Sequence, residues 1–176
     1  MRDLLFMRHR EILVFTAAAL VLGGCSRPAG IVVEAEDTFP GPATVVQMAD
    51  SRFAPLLLAG WHDLEDGSWR WTERRFTVLL KAPPGGQAAT LKLEFALPDA
   101  VATRLGSLRL EAKVNGTSLP AQSYDRAGQV AYSRRVPPEA LRGETALVEF
   151  ALDKALPPGP NDARELGVIV AGVGFY

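Results

Sequence analysis

The chain has 176 residues, 48% of them hydrophobic and 22% charged, with a formal net charge of −1. That composition is ordinary for one globular domain and too apolar for a disordered chain. A near-neutral balance without runs of like charge lacks the basic field that phosphate neutralisation requires, which excludes a nucleic-acid partner.

At the N-terminus, Arg2, Arg8 and Arg10 precede an uncharged stretch from Ile12 to Leu22. It is shorter than the roughly 20 residues of a membrane span but fits the apolar centre of an export signal. Met7 is as good a start as Met1. Leu22-Gly23-Gly24-Cys25 follows directly and resembles a bacterial lipobox: an aliphatic residue, two small ones, then the cysteine that accepts the diacylglycerol. The alternative is an ordinary signal peptide with a stray cysteine. The resemblance implies a signal peptide over 1–24, a lipidated Cys25 with a short tether over 25–30, and a folded domain over 31–176. Two or more acyl chains anchor stably where one is marginal. Cys25 is the only cysteine, so its lipidation leaves no thiol for a disulfide, a metal or a nucleophile. Ser26 in place of Asp implies, by the same resemblance, the periplasmic face of the outer membrane rather than the inner one.

Past Pro28 and Gly30 the pattern is β. Ile31–Glu36 and Thr44–Met48 are short, β-branched and bounded by Pro or Gly. In Ser68–Thr72 alternation places Trp69 and Trp71 on one strand face, read as core, with Gly60–Gly67 as the loop feeding that strand. Phe76–Leu80 ends at Pro83-Pro84-Gly85-Gly86, a strong turn sequence. Leu91–Phe95 and Leu108–Val114 alternate apolar and polar residues, the period of a half-buried strand. The second runs into Asn115-Gly116, whose residues accept the positive φ of a tight hairpin. Val130–Val136, Ala146–Leu152 and Leu166–Val173 bring the total to eight or nine strands. Pro137–Gly143, with Pro at its start and Gly at its end, is the one expected helical turn. Many short strands with Gly/Pro turns predict an all-β antiparallel β-sandwich, jelly-roll-like and galactose-binding-like.

The chemistry is thin. His62 is the only histidine beyond His9, so any catalytic triad has one base to draw on, and no Gly-x-Ser-x-Gly elbow is present. Zinc needs several His or Cys ligands, and calcium needs clustered oxygens, whereas Asp37, Asp153 and Asp162 are scattered. No metal or other cofactor is expected. Glu65 with Asp63 or Asp162 could form the carboxylate pair of a glycosidase, but loop carboxylates are more often solvated. Trp61, Trp69 and Trp71, with Asp63, Glu65 and Arg70, have the residue types of a sugar site: apolar rings and a few fixed polar groups. Trp61 is placed in the loop after Gly60. The acidic and basic residues also admit a structural reading, with Glu65 or Asp66 paired to Arg70 or Arg74 and Asp162 paired to Arg164. A sandwich could bring the Asn161–Arg164 loop to the end where the Trp61 segment lies.

Three fragments together, G-W-H-x-x-E-x-x-x-x-R-W-T over Gly60–Thr72, V-N-G over Val114–Gly116 and N-D-x-R-x-L-G over Asn161–Gly167, resemble a β-sandwich module of bacterial surface-polysaccharide proteins, often fused to glycosyltransferases. The matching positions are Trp61, Glu65, Arg70, Trp71, Asp162 and Arg164. The resemblance implies a glycan context without a reaction, and a copy without a transferase domain is expected to bind, tether or scaffold rather than to transfer. The Val-Asn-Gly turn is also similar to that of galactose-binding-like jelly rolls. The expectation is therefore a lipid-anchored envelope protein that binds carbohydrate or supports polysaccharide assembly without catalysis. Its ligand-binding candidates are Trp61, Glu65, Arg70, Asp162 and Arg164. Its partners would be the membrane through Cys25, a glycan, and an envelope protein. A structural or protein-interaction lipoprotein and a glycan-modifying enzyme using Glu65 stand as alternatives.

Overall fold

The computed structural model describes residues 39–176; the expected signal segment, Cys25, the tether and a strand at Ile31–Glu36 lie outside them. Nine strands follow in chain order: β1 (Val45–Gln47), β2 (Leu57–Glu65), β3 (Trp69–Lys81), β4 (Ala89–Leu97), β5 (Leu108–Val114), β6 (Thr117–Tyr124), β7 (Gly128–Val136), β8 (Thr145–Leu152) and β9 (Ile169–Phe175). Every pairing is antiparallel, along the path β6-β5-β8-β3-β9-β4-β7, with β1 added to β9 and β2 to β3.

The sheet folds over at β3. Its Arg75–Lys81 half pairs with β8, and Arg70 and Trp71 pair with Val170 and Ile169 of β9. One strand thus belongs to both layers, β6-β5-β8-β3 and β3-β9-β4-β7, giving an antiparallel β-sandwich. Strands that turn such corners need irregular pairing. The β2–β3 ladder supplies it, with register shifts between Leu57 and Ala59, Ala59 and Trp61, and Trp61 and Leu64.

The core lies between the layers. β4 and β5 bury every second residue, from Leu91, Leu93 and Phe95 to Leu108, Leu110, Ala112 and Val114. From β3 and β8 come Phe76, Val78, Leu80, Val148 and Phe150. A chain of rings crosses the interior: Trp61 edge-on to Phe76 at 5.0 Å, Phe76 stacked on Phe150 at 5.0 Å, and Tyr132 edge-on to Phe150 at 6.4 Å. Such pairs add about 0.5–1.5 kcal/mol each beyond their area.

The two outermost strands, β6 and β7, are tied by side chains. Tyr132 Oη and Arg134 Nε each donate to the Pro120 carbonyl at 3.0 Å, and Tyr124 Oη donates to the Ala131 carbonyl at 3.1 Å. Unpaired strand edges invite aggregation, and this seam covers them. Burial pushes the Tyr124 and Tyr132 phenols up to about 12.

The sandwich and the Asn115-Gly116 hairpin follow the sequence pattern; Asn115 has φ 47° and Gly116 φ 80°. The expected turn at Pro137–Gly143 is a 3-10 helix over Pro138–Leu141. Three local expectations are corrected, and one strand, β6, is added. Gly60–Gly67 is not a loop: Gly60 to Glu65 belong to β2, and only Asp66-Gly67-Ser68 turns. Ser68–Thr72 and Phe76–Leu80 are parts of one strand, whose 13 residues run through both layers. β6 forms although it contains Pro120, because an edge strand needs no donor there. Three further helical pieces exist among the described residues: 3-10 turns over Ser51–Leu56 and Pro84–Gly86, and α1 (Asp99–Leu105), entered from Pro98 and closed by Gly106 at φ 67°.

Candidate functional site

The two acidic-basic fragments meet in space: β2 and the start of β3 lie against the segment 162–168. Thr72 is fully buried and forms the centre of the junction. Its N–H donates to the Val168 carbonyl at 3.0 Å, its carbonyl accepts from Gly167 N–H at 2.7 Å, and its Oγ1 accepts from Val168 N–H at 3.2 Å. Gly167 allows that approach, since a Cβ there would lie 2.7 Å from Leu152 Cδ1 and 2.8 Å from Thr72 Oγ1 and the Glu73 carbonyl. At the other end, Gly60 has φ +72°, and a Cβ would stand 1.9 Å from the Arg75 carbonyl oxygen. Gly60 and Gly167 are thus each required by a close approach.

Beside this junction stands a charged clasp. Arg164 Nη1 donates to Glu65 Oε1 at 2.7 Å, Nη2 to Asp162 Oδ2 at 2.8 Å and Nε to Asp162 Oδ1 at 3.0 Å. Asp162 Oδ1 also accepts the Arg164 backbone N–H at 3.0 Å. The planar guanidinium fork is suited to this two-pronged contact. Arg164 holds the Asp162 carboxyl down to about 2, and its own proton is held more tightly than usual by the two carboxylates. All three side chains remain about one-third exposed.

His62 and Arg70 reinforce the clasp from the side. His62 Nε2 lies 2.7 Å from the Glu165 carbonyl; a carbonyl can only accept, so Nε2 carries the proton. Arg70 Nη1 donates to the His62 carbonyl at 2.9 Å, while Arg70 Nε is buried without a partner among the described residues. Glu165 turns the other way and accepts the Arg74 backbone N–H at 2.7 Å.

Of the five candidates, Glu65, Asp162 and Arg164 therefore come together, while Arg70 donates to the His62 carbonyl instead. The expected pairing of Asp162 with Arg164 is present. Glu65 pairs with Arg164 rather than with Arg70 or Arg74, because the segment after Pro160 returns alongside β2. Trp61 is elsewhere: its indole N–H donates to the Thr77 carbonyl at 2.9 Å and its ring packs on Phe76. Trp71 is half-buried against the core, while Trp69 stands outside the core cluster, edge-on to Trp71 at 6.4 Å. Trp69 is the direct cross-strand partner of Glu65, which puts both side chains on one face of the hairpin. The aromatic residue beside the clasp is Trp69, not Trp61.

Asp162 and Arg164 also form part of the wall of an open groove of about 360 Å³. Leu156, Pro157, Pro158, Pro160 and Leu166 give it apolar sides, and Arg104, in the last turn of α1, completes it. Arg104 and the proline run were not singled out in the sequence, where a short helix and a loop offer no periodic pattern. A larger cleft of about 530 Å³, between the turns at Pro83–Gly85 and Gly143–Thr145, is lined by none of the candidate residues. Among the described residues, no group of three or more His, Cys, Asp or Glu side chains is gathered for a metal, and no helix is long and apolar enough to cross a membrane.

No family model matches the chain, and no curated protein matches it. Among solved structures it is similar to a 4-O-methyl-α-glucuronidase with specificity for decorated arabinogalactans, at 11% identity and a TM-score of 0.43, over 61% of this chain and 14% of that one. It is similar to a family 36 carbohydrate-binding module in complex with calcium and xylotriose, at 7% identity and a TM-score of 0.40, over 76% of this chain and 99% of that one. A family 35 carbohydrate-binding module from Clostridium thermocellum matches at 10% identity and a TM-score of 0.41, over 74% of this chain and 96% of that one.

Proposed function

We propose that the chain is a non-catalytic carbohydrate-binding protein of the bacterial envelope, held to the membrane by lipid on Cys25, and that it binds or scaffolds a surface polysaccharide. The observation that carries the binding half is the groove beside the clasp. Its volume falls within the roughly 300–1,000 Å³ range of small-ligand sites, and it joins apolar walls to a few rigidly held polar groups, the combination such sites use. Proline rings have no N–H to leave unpaired, so they suit the C–H faces of sugar rings. Carboxylates fixed by Arg164 have lone pairs left to accept sugar hydroxyls. Trp69, half-buried across from Glu65, offers a ring on the same hairpin face.

The clasp favours binding over catalysis. A glycosidase needs its two carboxyls free to reach the scissile bond, whereas Glu65 and Asp162 both accept from the Arg164 guanidinium, at 2.7 and 2.8 Å. A second reading has its own support: Arg164 spends both edges of its guanidinium inside the chain, as a structural tie would. In that reading the protein is a lipoprotein whose clasp only locks the fold.

Titration calorimetry of the full chain in detergent against a panel of neutral and acidic envelope polysaccharides separates the two. Binding that weakens at least tenfold in Asn161→Ala or Trp69→Ala, with the unfolding midpoint kept, supports the proposal. No binding anywhere in the panel leaves the structural reading. For the anchor, Cys25→Ala should abolish labelling by a fatty-acid analogue in cells and leave the precursor uncleaved. Normal cleavage of that variant would point to an ordinary signal peptide.

A further inference from the structure

We infer that Asp66 is a site of spontaneous backbone modification, converting to isoaspartate through a cyclic imide with water as the only co-reactant, and that Asn115 is guarded against the matching reaction. The chain contains one Asp-Gly and one Asn-Gly pair, at 66–67 and 115–116. In such pairs the glycine nitrogen can attack the side-chain carbonyl carbon of the residue before it, because glycine has no Cβ to obstruct the approach. The two pairs share a backbone shape, with φ 49° then 61° in the first and 47° then 80° in the second. Both are exposed, and an added Cβ would meet nothing within 4 Å at either glycine. Backbone and access therefore do not distinguish them.

The side chains do. Asn115 Nδ2 donates to the Ala140 carbonyl at 2.9 Å, and its Oδ1 accepts from the Leu147 N–H at 2.8 Å. Its Cγ is held towards the Pro138–Leu141 turn and β8, and both bonds must open before the Gly116 nitrogen can reach it. Two hydrogen bonds of ordinary net strength slow such a step by roughly tenfold or more. Asp66 has no side-chain hydrogen bond or ion pair among the described residues. There the Gly67 nitrogen adds to Cγ of the protonated acid, the carboxyl hydroxyl leaves with the amide proton as water, and the imide closes. Water then reopens the ring; opening at the Asp66 backbone carbonyl leaves isoaspartate, with the chain routed through Cβ and no change of mass. The product has one more backbone atom between Glu65 and Ser68, in the turn closed by Ser68 N–H on the Glu65 carbonyl at 3.1 Å. Glu65, whose carboxylate Arg164 holds, adjoins that turn, so its ageing acts on the clasp.

The test incubates the full chain in warm neutral buffer with detergent, folded and in guanidinium, and maps its peptides by mass spectrometry and isoaspartyl-methyltransferase labelling. In the folded native chain isoaspartate is expected at 66 and not at 115. Asp66→Asn puts the same amide–glycine pair into the unclamped turn, at a positive φ that Asn tolerates. In that folded variant the amide at 66 is expected to be lost at least tenfold faster than the amide of Asn115, and in guanidinium the two rates are expected to converge. Equal rates in the folded variant overturn the inference, because the two hydrogen bonds of Asn115 then guard nothing. A folded native chain that forms no isoaspartate at 66 overturns it as well. The modified fraction is expected to unfold at a lower temperature than the fresh chain; an unchanged midpoint overturns the effect on the clasp.

Discussion

Arg164 donates to Glu65 across 99 positions of sequence, with Nη1 2.7 Å from Oε1, and the same guanidinium grips Asp162 two residues back. One side chain thereby joins the β2 end of the first hairpin to the segment that leads into the last strand. Replacing Arg164 with Ala would leave two carboxylates near each other without their shared cation. Because the groups are about one-third exposed, the expected loss of stability is about 1 kcal/mol, the upper range for solvent-screened pairs. Arg164→Lys should recover little, since an ammonium cannot bridge both acids with a flat fork. Denaturant unfolding of Glu65→Ala, Arg164→Ala and the double variant measures the coupling directly. A coupling of zero would show that the pair is adventitious.

The clasp also sets a pH dependence at the acid end. Asp162 titrates near 3.8 in an unfolded chain and is lowered to about 2 in the fold, first by its side-chain hydrogen bonds from Arg164. A depressed folded value means the stabilising contribution is complete above about pH 4 and is lost as the pH falls towards 2. Asp162→Asn should flatten that part of the stability profile and leave the profile above pH 5 parallel to that of the native chain. Unfolding midpoints taken between pH 2 and 6 would decide it; identical slopes for the two proteins below pH 4 would refute the assignment.

Glycine positions give the sharpest steric contrast. Gly60 combines φ +72° with a backbone oxygen 1.9 Å from any added Cβ. Gly67 has φ +61° and open space around it. Gly67→Ala should therefore cost about 1 kcal/mol, the conformational penalty alone. Gly60→Ala adds forced displacement of β3 and should cost at least about 3 kcal/mol in total. Equal losses for the two variants would mean that β2 does not approach β3 as closely as described.

How far the sequence could be read depends on whether a feature is local. The Leu108–Val114 alternation and Asn115-Gly116 specify a strand and a hairpin on their own, and both stand where the residues put them. Asp66-Gly67 is the same kind of turn sequence, with φ 49° and 61°, yet β2 before it shows no period of two. Its three register shifts rotate successive side chains off a single face, and bulged strands carry no simple pattern. α1, at seven residues, is too short for a helical period to emerge. The meeting of Glu65 with Arg164 depends on β3 passing from one layer to the other, which no spacing within either fragment encodes. Residue types marked the clasp; only the topology decides which acid meets which base, and why Trp69 rather than Trp61 stands next to it.

At alkaline pH the seam between β6 and β7 should be the part that fails. Tyr132 is fully buried and donates to the Pro120 carbonyl, and Tyr124 donates to the Ala131 carbonyl. Burial raises both phenols from about 10 to about 12, so the fold favours their neutral forms. Stability from this source is intact below the unfolded value of 10 and is lost as the pH rises through 12. Tyr132→Phe removes one of the two groups, and the Pro120 carbonyl keeps its bond from Arg134 Nε at 3.0 Å. At pH 7 that variant should lose only about 1 kcal/mol, the net worth of one hydrogen bond, while its stability falls less steeply between pH 10 and 12. Spectrophotometric titration at 295 nm alongside unfolding midpoints tests both parts. In a Tyr176→Phe background, which removes the exposed third tyrosine, phenolate appearing below pH 10 without loss of structure would show that the seam is open to solvent.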